Sequence, residues 1–297
     1  MRLARDEALN AGAFFLIVLV WGSTFLAIRV SNDAGYDPLS AVAVRLVLAS
    51  LALVALVKAA GVAWPRGTAL RATLASGFLI FGVNFVLLYW GEQTVASGTA
   101  AVLWGVYPAL VAIGAPFVLR DQEPPPARSL AGALVASVGL AVVFRAHLGL
   151  DAPILGFAAI LTGIASSTLA TLLTKRWAKG VHPLAYNALG SFVGAMVLVP
   201  VALALGPGLA LPQGKLAWAS LAYLVLAGSI GAFNVWAWLL HRWPATRVSF
   251  QTVLSPLIAV ALGWAFLAEP VDVGFLLGTS LVLAGTWLAV APRHTAR

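Results

Sequence analysis

The chain has 297 residues, of which 61% are hydrophobic and only 9% carry a charge. A soluble globular domain has about 25% charged residues, and a mean hydropathy of +0.97 leaves no polar coat for a water-soluble core. Composition therefore excludes a soluble enzyme and a disordered chain, and the absence of Cys excludes a disulfide-built secreted scaffold.

A membrane-crossing helix needs ~20 mostly apolar residues. In chain order the sequence predicts ten spans, at 8–28, 38–57, 72–91, 93–119, 129–144, 152–174, within 180–214, 216–241, 248–268 and 273–292. The second is interrupted by Arg45, and the fifth reaches span length if Arg128 and Arg145 snorkel outward. The seventh run ends in Gly206-Pro207-Gly208 and Pro212, which read as a loop. The first is of span length and is not followed by a small-residue cleavage site, so it is expected to stay as a helix rather than be removed as a signal peptide.

The chain carries 18 Lys and Arg against 10 Asp and Glu, a net charge of +8. Nucleic-acid binding would require these bases on one dense face, but they fall singly between apolar runs. Membrane topology accounts for them. With the N-terminus inside, the inner faces hold Arg2, Arg5, Lys58, Arg66, Arg71, Arg120, Arg128, Lys175, Arg176, Lys179, Arg242, Arg247, Arg293 and Arg297, and the outer faces hold Arg29, Arg145 and Lys215. Fourteen against three follows the positive-inside rule and places both termini in the cytoplasm.

The two halves share landmarks. Trp21-Gly22-Ser23-Thr24 matches Ala165-Ser166-Ser167-Thr168 at an offset of 144, Asp37-Pro38-Leu39 matches His182-Pro183-Leu184 at 145, and Tyr107-Pro108 matches Ser255-Pro256 at 148. Asp121 and Glu269 are also 148 apart. The reading is an all-α polytopic membrane protein, ten transmembrane helices as two inverted five-helix repeats, 8–146 and 152–292. An odd number of spans per half inverts the second copy, an arrangement found in secondary transporters. Pro108 and Pro256 break helices 4 and 9 near mid-span, where a freed carbonyl must find a partner or a wet cavity.

At these residues the chain resembles the EamA family of the drug/metabolite transporter superfamily. The resemblance runs over about 10–291 and rests on Trp21-Gly22-Ser23-Thr24 with Arg29, the stretch from Pro38 to Arg45, Glu92-Gln93-Thr94-Val95-Ala96-Ser97-Gly98-Thr99-Ala100-Ala101, Pro108, Pro256, and Glu269 followed by Gly278. The Asp121-Gln122-Glu123-Pro124-Pro125-Pro126 segment departs from it, being two residues longer than its counterpart after Glu269. The resemblance implies a bacterial inner-membrane carrier that exports amino acids, other metabolites or drugs by alternating access. It also implies a central cavity lined by helices 1, 3, 4, 6, 8 and 9, and offers helices 5 and 10 as a homodimer surface.

A charge at the centre of a membrane helix costs ~2.5–3.5 kcal/mol on insertion scales, so Arg45, Arg29 and Glu92, at similar outer depths, need partners. Two readings stand. Glu92 pairs structurally with Arg45 or Arg29, or the group forms an outer gate or substrate-carboxylate site. Glu92 is also the acid best placed to exchange a proton. Candidate substrate contacts are Thr24, Asn84, Trp104 and Tyr107 in the first half, and Thr168, Asn234, Trp238, Gln251 and Ser255 in the second. Amides and hydroxyls both donate and accept, and aromatic walls hold apolar or cationic groups, which suits a zwitterionic or amphipathic small molecule. The competing roles are interhelical hydrogen bonds for Asn84 and Asn234 and an interfacial belt for the Trp residues. Gly190-xxx-Gly194 and Gly274-xxx-Gly278 allow close helix approach, within the monomer or between copies.

No GxxxxGK[ST] loop is present for ATP. His147, His182, His241 and His294 lack metal-ligand spacing, so neither cofactor nor metal is expected. The alternative, a membrane-embedded enzyme acting on lipid-linked substrates, would need paired acids or a His cluster that the sequence does not supply.

Overall fold

The computed structural model describes residues 2–119, 127–146, 153–268 and 271–290. Among them every regular element is helical. The helical runs are α1 (Arg2–Asp33), α2 (Pro38–Ala59), α3 (Gly67–Gly91), α4 (Ser97–Val118), α5 (Ala127–Ala146), α6 (Ile154–Trp177), α7 (Pro183–Leu205), α8 (Lys215–Arg242), α9 (Arg247–Leu267) and α10 (Val273–Val290). Eight of them, α1–α4 and α6–α9, are long and apolar enough to cross a membrane, while α5 and α10 contain the shorter apolar stretches Leu134–Val143 and Val273–Leu288. The all-helical, multi-pass architecture read from the sequence is present. Asp121 and Glu269 lie outside the described residues.

Local chemistry sets several helix starts. Asp37 accepts the Ser40 N–H at 2.7 Å and is followed by Pro38 in the first turn of α2. At the matching place before α7, His182 Nδ1 accepts the Leu184 N–H at 3.2 Å and Pro183 follows. Each side chain takes up an amide that the helix cannot satisfy, and proline loses nothing at that position. Asp272 does the same for α10 through the Phe275 N–H at 2.7 Å. Gly35, at φ +76°, ends α1 with a left-handed turn that a β-carbon would strain.

Two runs leave α geometry at corresponding places. α3 passes through a π-helical segment over Phe78–Asn84, and α8 through one over Leu224–Ala232. Their first residues are 146 apart, within the 144–148 range relating the sequence landmarks. A π segment adds a residue to the turn and re-aims side chains beyond it, which is why such segments gather at functional sites. α4 is also divided: Ser97–Trp104 gives way at Gly105-Val106 to Tyr107–Val118. A short helix, Ala245–Ser249, likewise precedes Gln251–Leu267 in α9, with Phe250 between them.

Packing pairs the halves. α5 lies along α10, α2 along α7, α1 against α9, and α4 against α6. Exchanging each helix for its partner five places along turns this set into itself. The α5–α10 seam is built from small residues: a β-carbon on Gly139 would stand 2.6 Å from the Val282 nitrogen, and one on Gly285 would stand 2.4 Å from that of Ala136. Gly278 of the Gly274-xxx-Gly278 face meets Val143 and Gly139 across the same seam, and Gly190 and Gly194 both meet Phe81 of α3. Outward, Leu16, Leu51, Phe117, Leu134, Leu205 and Trp264 are exposed. Apolar side chains distributed over so many helices suit lipid rather than water.

Candidate functional site

Between the halves lies a cavity with about 740 Å³ of empty space, its open mouth included. Its walls come from α1, α3, α4, α6, α8 and α9, and α2 adds one residue, Arg45. The apolar surface is largely aromatic: Trp21, Phe25, Phe85, Phe233 and Trp236 line it. Phe233 packs on Phe81 at 4.6 Å and on Trp21 at 5.1 Å between ring centres, so aromatic rings from both halves meet at this wall.

The polar groups on the wall are Thr24, Arg45, Asn84, Trp104, Tyr107, Ser167, Thr171, Gln251, Thr252 and Ser255. Several hydroxyls donate to their own helix: Thr24 to the Trp21 carbonyl at 2.7 Å, Thr252 to Ser249 at 2.8 Å and Ser255 to Gln251 at 2.8 Å. With the proton committed, each oxygen remains an acceptor. Four other buried atoms on the wall have no hydrogen-bond partner among the described residues: Asn84 Oδ1, Trp104 Nε1, Ser167 Oγ and Gln251 Oε1. Buried polar atoms are almost always satisfied. Four such atoms in one cavity wall mark a surface suited to a polar ligand. The prolines fall in the same place. Pro108 and Pro256 have no N–H to offer the carbonyls four residues back, which belong to Trp104 and Thr252, both lining residues.

Arg45 is 3% exposed. Its Nε donates to Ser229 Oγ at 2.8 Å and its Nη1 to the Tyr89 hydroxyl at 3.0 Å, and the guanidinium lies 4.8 Å from the centre of the Phe85 ring. Hydrogen bonds to a charged group contribute ~1.5–3 kcal/mol each, enough to hold the side chain inward against the cost of burial. Ser229 sits in the π segment of α8, and its carbonyl accepts from Asn187 Nδ2 of α7 at 2.8 Å, which fixes the support itself. Arg29 is elsewhere, in a surface ion pair with Asp33 at 3.0 Å. Glu92 is fully buried at the end of α3. Arg29 thus pairs with Asp33, and Arg45 with Ser229 and Tyr89.

Of the residues singled out from sequence, Thr24, Arg45, Asn84, Trp104, Tyr107, Gln251 and Ser255 converge on this cavity. Thr168, Asn234 and Trp238 are not part of its lining. Thr168 donates to the Ile164 carbonyl at 2.9 Å, Asn234 to that of Ile230 at 2.6 Å, and Trp238 stacks under Arg242 at 3.9 Å. Their places are taken by Ser167, Thr171, Phe233 and Trp236. The hydroxyls at Ser167, Thr171 and Thr174, spaced i, i+4 and i+7 on one helix face, were a usable signal for α6. Thr171 joins the Tyr107 hydroxyl across the halves, and Thr174 bonds Ser76 at 2.9 Å and Tyr186 at 2.9 Å.

The model of the EamA-like transporter family matches twice, over residues 10–145 and 154–291. The chain belongs to this family. A "Probable terminal-alkyne amino-acid exporter" of Streptantibioticus cattleyicolor is 29% identical over 93% of this chain and 91% of its own length. Protein PecM of Dickeya dadantii is 26% identical over 91% and 88%. The "Uncharacterized inner membrane transporter YedA" of Escherichia coli K12 is 26% identical over 85% and 81%. A crystal structure 17% identical in sequence superposes with a TM-score of 0.70, covering 95% of this chain and 96% of the other, so the fold is shared. Like other EamA-like chains it is a multi-pass membrane transporter, with a small molecule as its cargo, and not an enzyme.

Proposed function

We propose that the chain is a secondary carrier with ten transmembrane helices, α1–α10, in two inverted five-helix halves, 8–146 and 152–292. It exports small organic solutes such as amino acids, other metabolites or drugs across the bacterial inner membrane by alternating access, with both termini cytoplasmic. The observation that carries this reading is the cavity between the halves, whose unpartnered polar atoms and aromatic walls come from both repeats. The exchange symmetry of the helix pairs and the matched π segments support two inverted halves. The fourteen-to-three distribution of basic residues supports cytoplasmic termini.

Acceptors at Asn84, Gln251 and the committed hydroxyls suit an ammonium group, and donors at Arg45 and Trp104 suit an oxygen-rich one. A zwitterion with an apolar body fits both, and the similarity to an amino-acid exporter points the same way. Thr24, Asn84, Trp104, Tyr107, Gln251 and Ser255 are the proposed substrate contacts. A homodimer through the outer faces of α5 and α10 would use Leu134, Val138 and Trp287, since their glycines are already packed within the monomer.

The test is counterflow in proteoliposomes loaded with unlabelled amino acids and given the labelled compound outside. A carrier gives transient, saturable uptake that depends on the internal load. Uptake linear in concentration and indifferent to the load would identify a channel and sink the proposal.

A further inference from the structure

Arg45 carries a full charge into the cavity wall without a counter-ion at ion-pair distance. It is 3% exposed, its two hydrogen-bond partners are neutral hydroxyls, and no carboxylate of the described residues lies within ion-pair reach of it. Arginine has five N–H donors and cannot shed its proton in a protein, so burial does not neutralise it. Ser229 and Tyr89 use one donor on Nε and one on Nη1, which leaves Nη2 with both of its N–H groups.

The backbone beside Nη2 is cleared. A β-carbon on Gly228 would stand 3.0 Å from Nη2, and the same glycine belongs to the π segment whose next residue, Ser229, holds Nε. One short stretch of α8 therefore grips the guanidinium at Nε and lies close beside Nη2, which only a residue without a β-carbon allows. Beside the guanidinium stand Phe85 and Thr24, an apolar surround that strengthens any charge–charge contact made there.

We propose that Arg45 is an anion-binding subsite and that the transported solute presents a carboxylate to Nη2, with its apolar body against Phe85, Phe233 and Trp236. This deepens the carrier reading and rests on it. Ser229 and Tyr89 act as positioning residues that aim the fork; Gly228 keeps its approach open. Nη1 keeps its second N–H as well, so a planar carboxylate at the end of the guanidinium can take one hydrogen bond from each terminal nitrogen.

The experiment uses the full chain purified in detergent, with counterflow of the same compounds in proteoliposomes as its second readout. Melting is followed while benzoate, 3-phenylpropanoate and L-phenylalanine are titrated to millimolar levels, each beside its amide at matched ionic strength. The acids should raise the melting temperature in a concentration-dependent way, with the amides roughly tenfold weaker or inactive. Arg45→Gln should abolish the difference between acid and amide. Should that variant fail to elute as a single species, Gly228→Ala, which keeps the charge but crowds Nη2, should weaken the acid response in the same sense. Equal shifts with acids and amides, no shift with any acid, or an undiminished acid response in a folded variant would each overturn the inference. Saturable counterflow of the amides together with equal melting shifts would leave the carrier standing and remove the anion site. Acid-specific binding with no saturable flux would do the reverse.

Discussion

A β-carbon placed on Gly77 of α3 would stand 2.7 Å from the Cα of Gly190 on α7. The two backbones meet there without side chains between them, and Phe81, one turn on, fills the space beside Gly190. This contact joins α3 to α7 immediately before the π segment that begins at Phe78.

Gly77→Ala should therefore destabilise the fold, since the clash is with backbone that cannot swing aside. Overpacking of this kind costs ~1–3 kcal/mol. Gly12→Ala is the matched control: nothing lies within 4 Å of its added β-carbon, and the gain in helix propensity should make it neutral or slightly stabilising. Thermal melting of the two purified variants checks the pair. A Gly77→Ala protein as stable as wild type would show that α3 and α7 are not held this close.

Asn84→Ala and Trp104→Phe separate binding from folding. Asn84 Oδ1 and Trp104 Nε1 are buried without a partner among the described residues, and deleting an unsatisfied group is close to neutral for stability. If these atoms contact substrate, transport should fall about tenfold, the equivalent of ~1.4 kcal/mol, with melting nearly unchanged. Full transport in both variants would remove these two residues from the binding site; a collapse in folded yield would make them structural.

Much of the architecture was readable because the membrane permits few solutions: span-length apolar runs and the paired helix starts at Asp37-Pro38 and His182-Pro183 are coarse signals that survive packing. The cavity was legible only in part. Polar residues near mid-span could be listed, yet successive residues on a helix differ by about 100°, so Ser166-Ser167-Thr168 taken alone did not tell which hydroxyl faces inward; only the spacing from Ser167 to Thr171 and Thr174 carried that signal. In α8 the π segment at Leu224–Ala232 shifts the face of everything after it, and Phe233 and Trp236 line the wall in place of Asn234 and Trp238. Arg45 could be read either as half of a structural pair with Glu92 or as part of an outer gate or carboxylate site, because its supports, Tyr89 and Ser229, are 44 and 184 residues away in sequence.

Tyr36 ties the α1–α2 turn to the loop after α7. Its hydroxyl donates to the Ala210 carbonyl at 3.1 Å, beside Ser40, whose hydroxyl donates to Gly208 at 2.6 Å. Burial, with smaller contributions from Tyr89 and the Asp37 carboxylate, pushes the Tyr36 pKa up to about 12 from its ordinary 10.0. The unfolded chain therefore releases this proton first as pH rises. The contribution to stability is complete below pH 10 and declines between 10 and 12. Tyr36→Phe should cost ~1 kcal/mol at neutral pH and make the alkaline decline shallower. Melting curves from neutral to strongly alkaline pH check both, and an unaltered alkaline limb would detach Tyr36 from that titration.

The absence of Cys makes single-cysteine labelling clean, and it tests orientation and alternation together. Gln213 and Lys179 are both exposed and lie in the loops at opposite ends of α7. With cytoplasmic termini, an impermeant maleimide should label Gln213→Cys on intact cells and Lys179→Cys only after the membrane is opened; the reverse pattern would invert the topology. Ser255→Cys lines the cavity, so a carrier that alternates should let the reagent reach it from either side in turn. In right-side-out and inside-out vesicles, labelling from both faces is the expected result, slowed by saturating substrate. Labelling from one face alone, unaffected by substrate, would mean that the halves do not exchange access to the site.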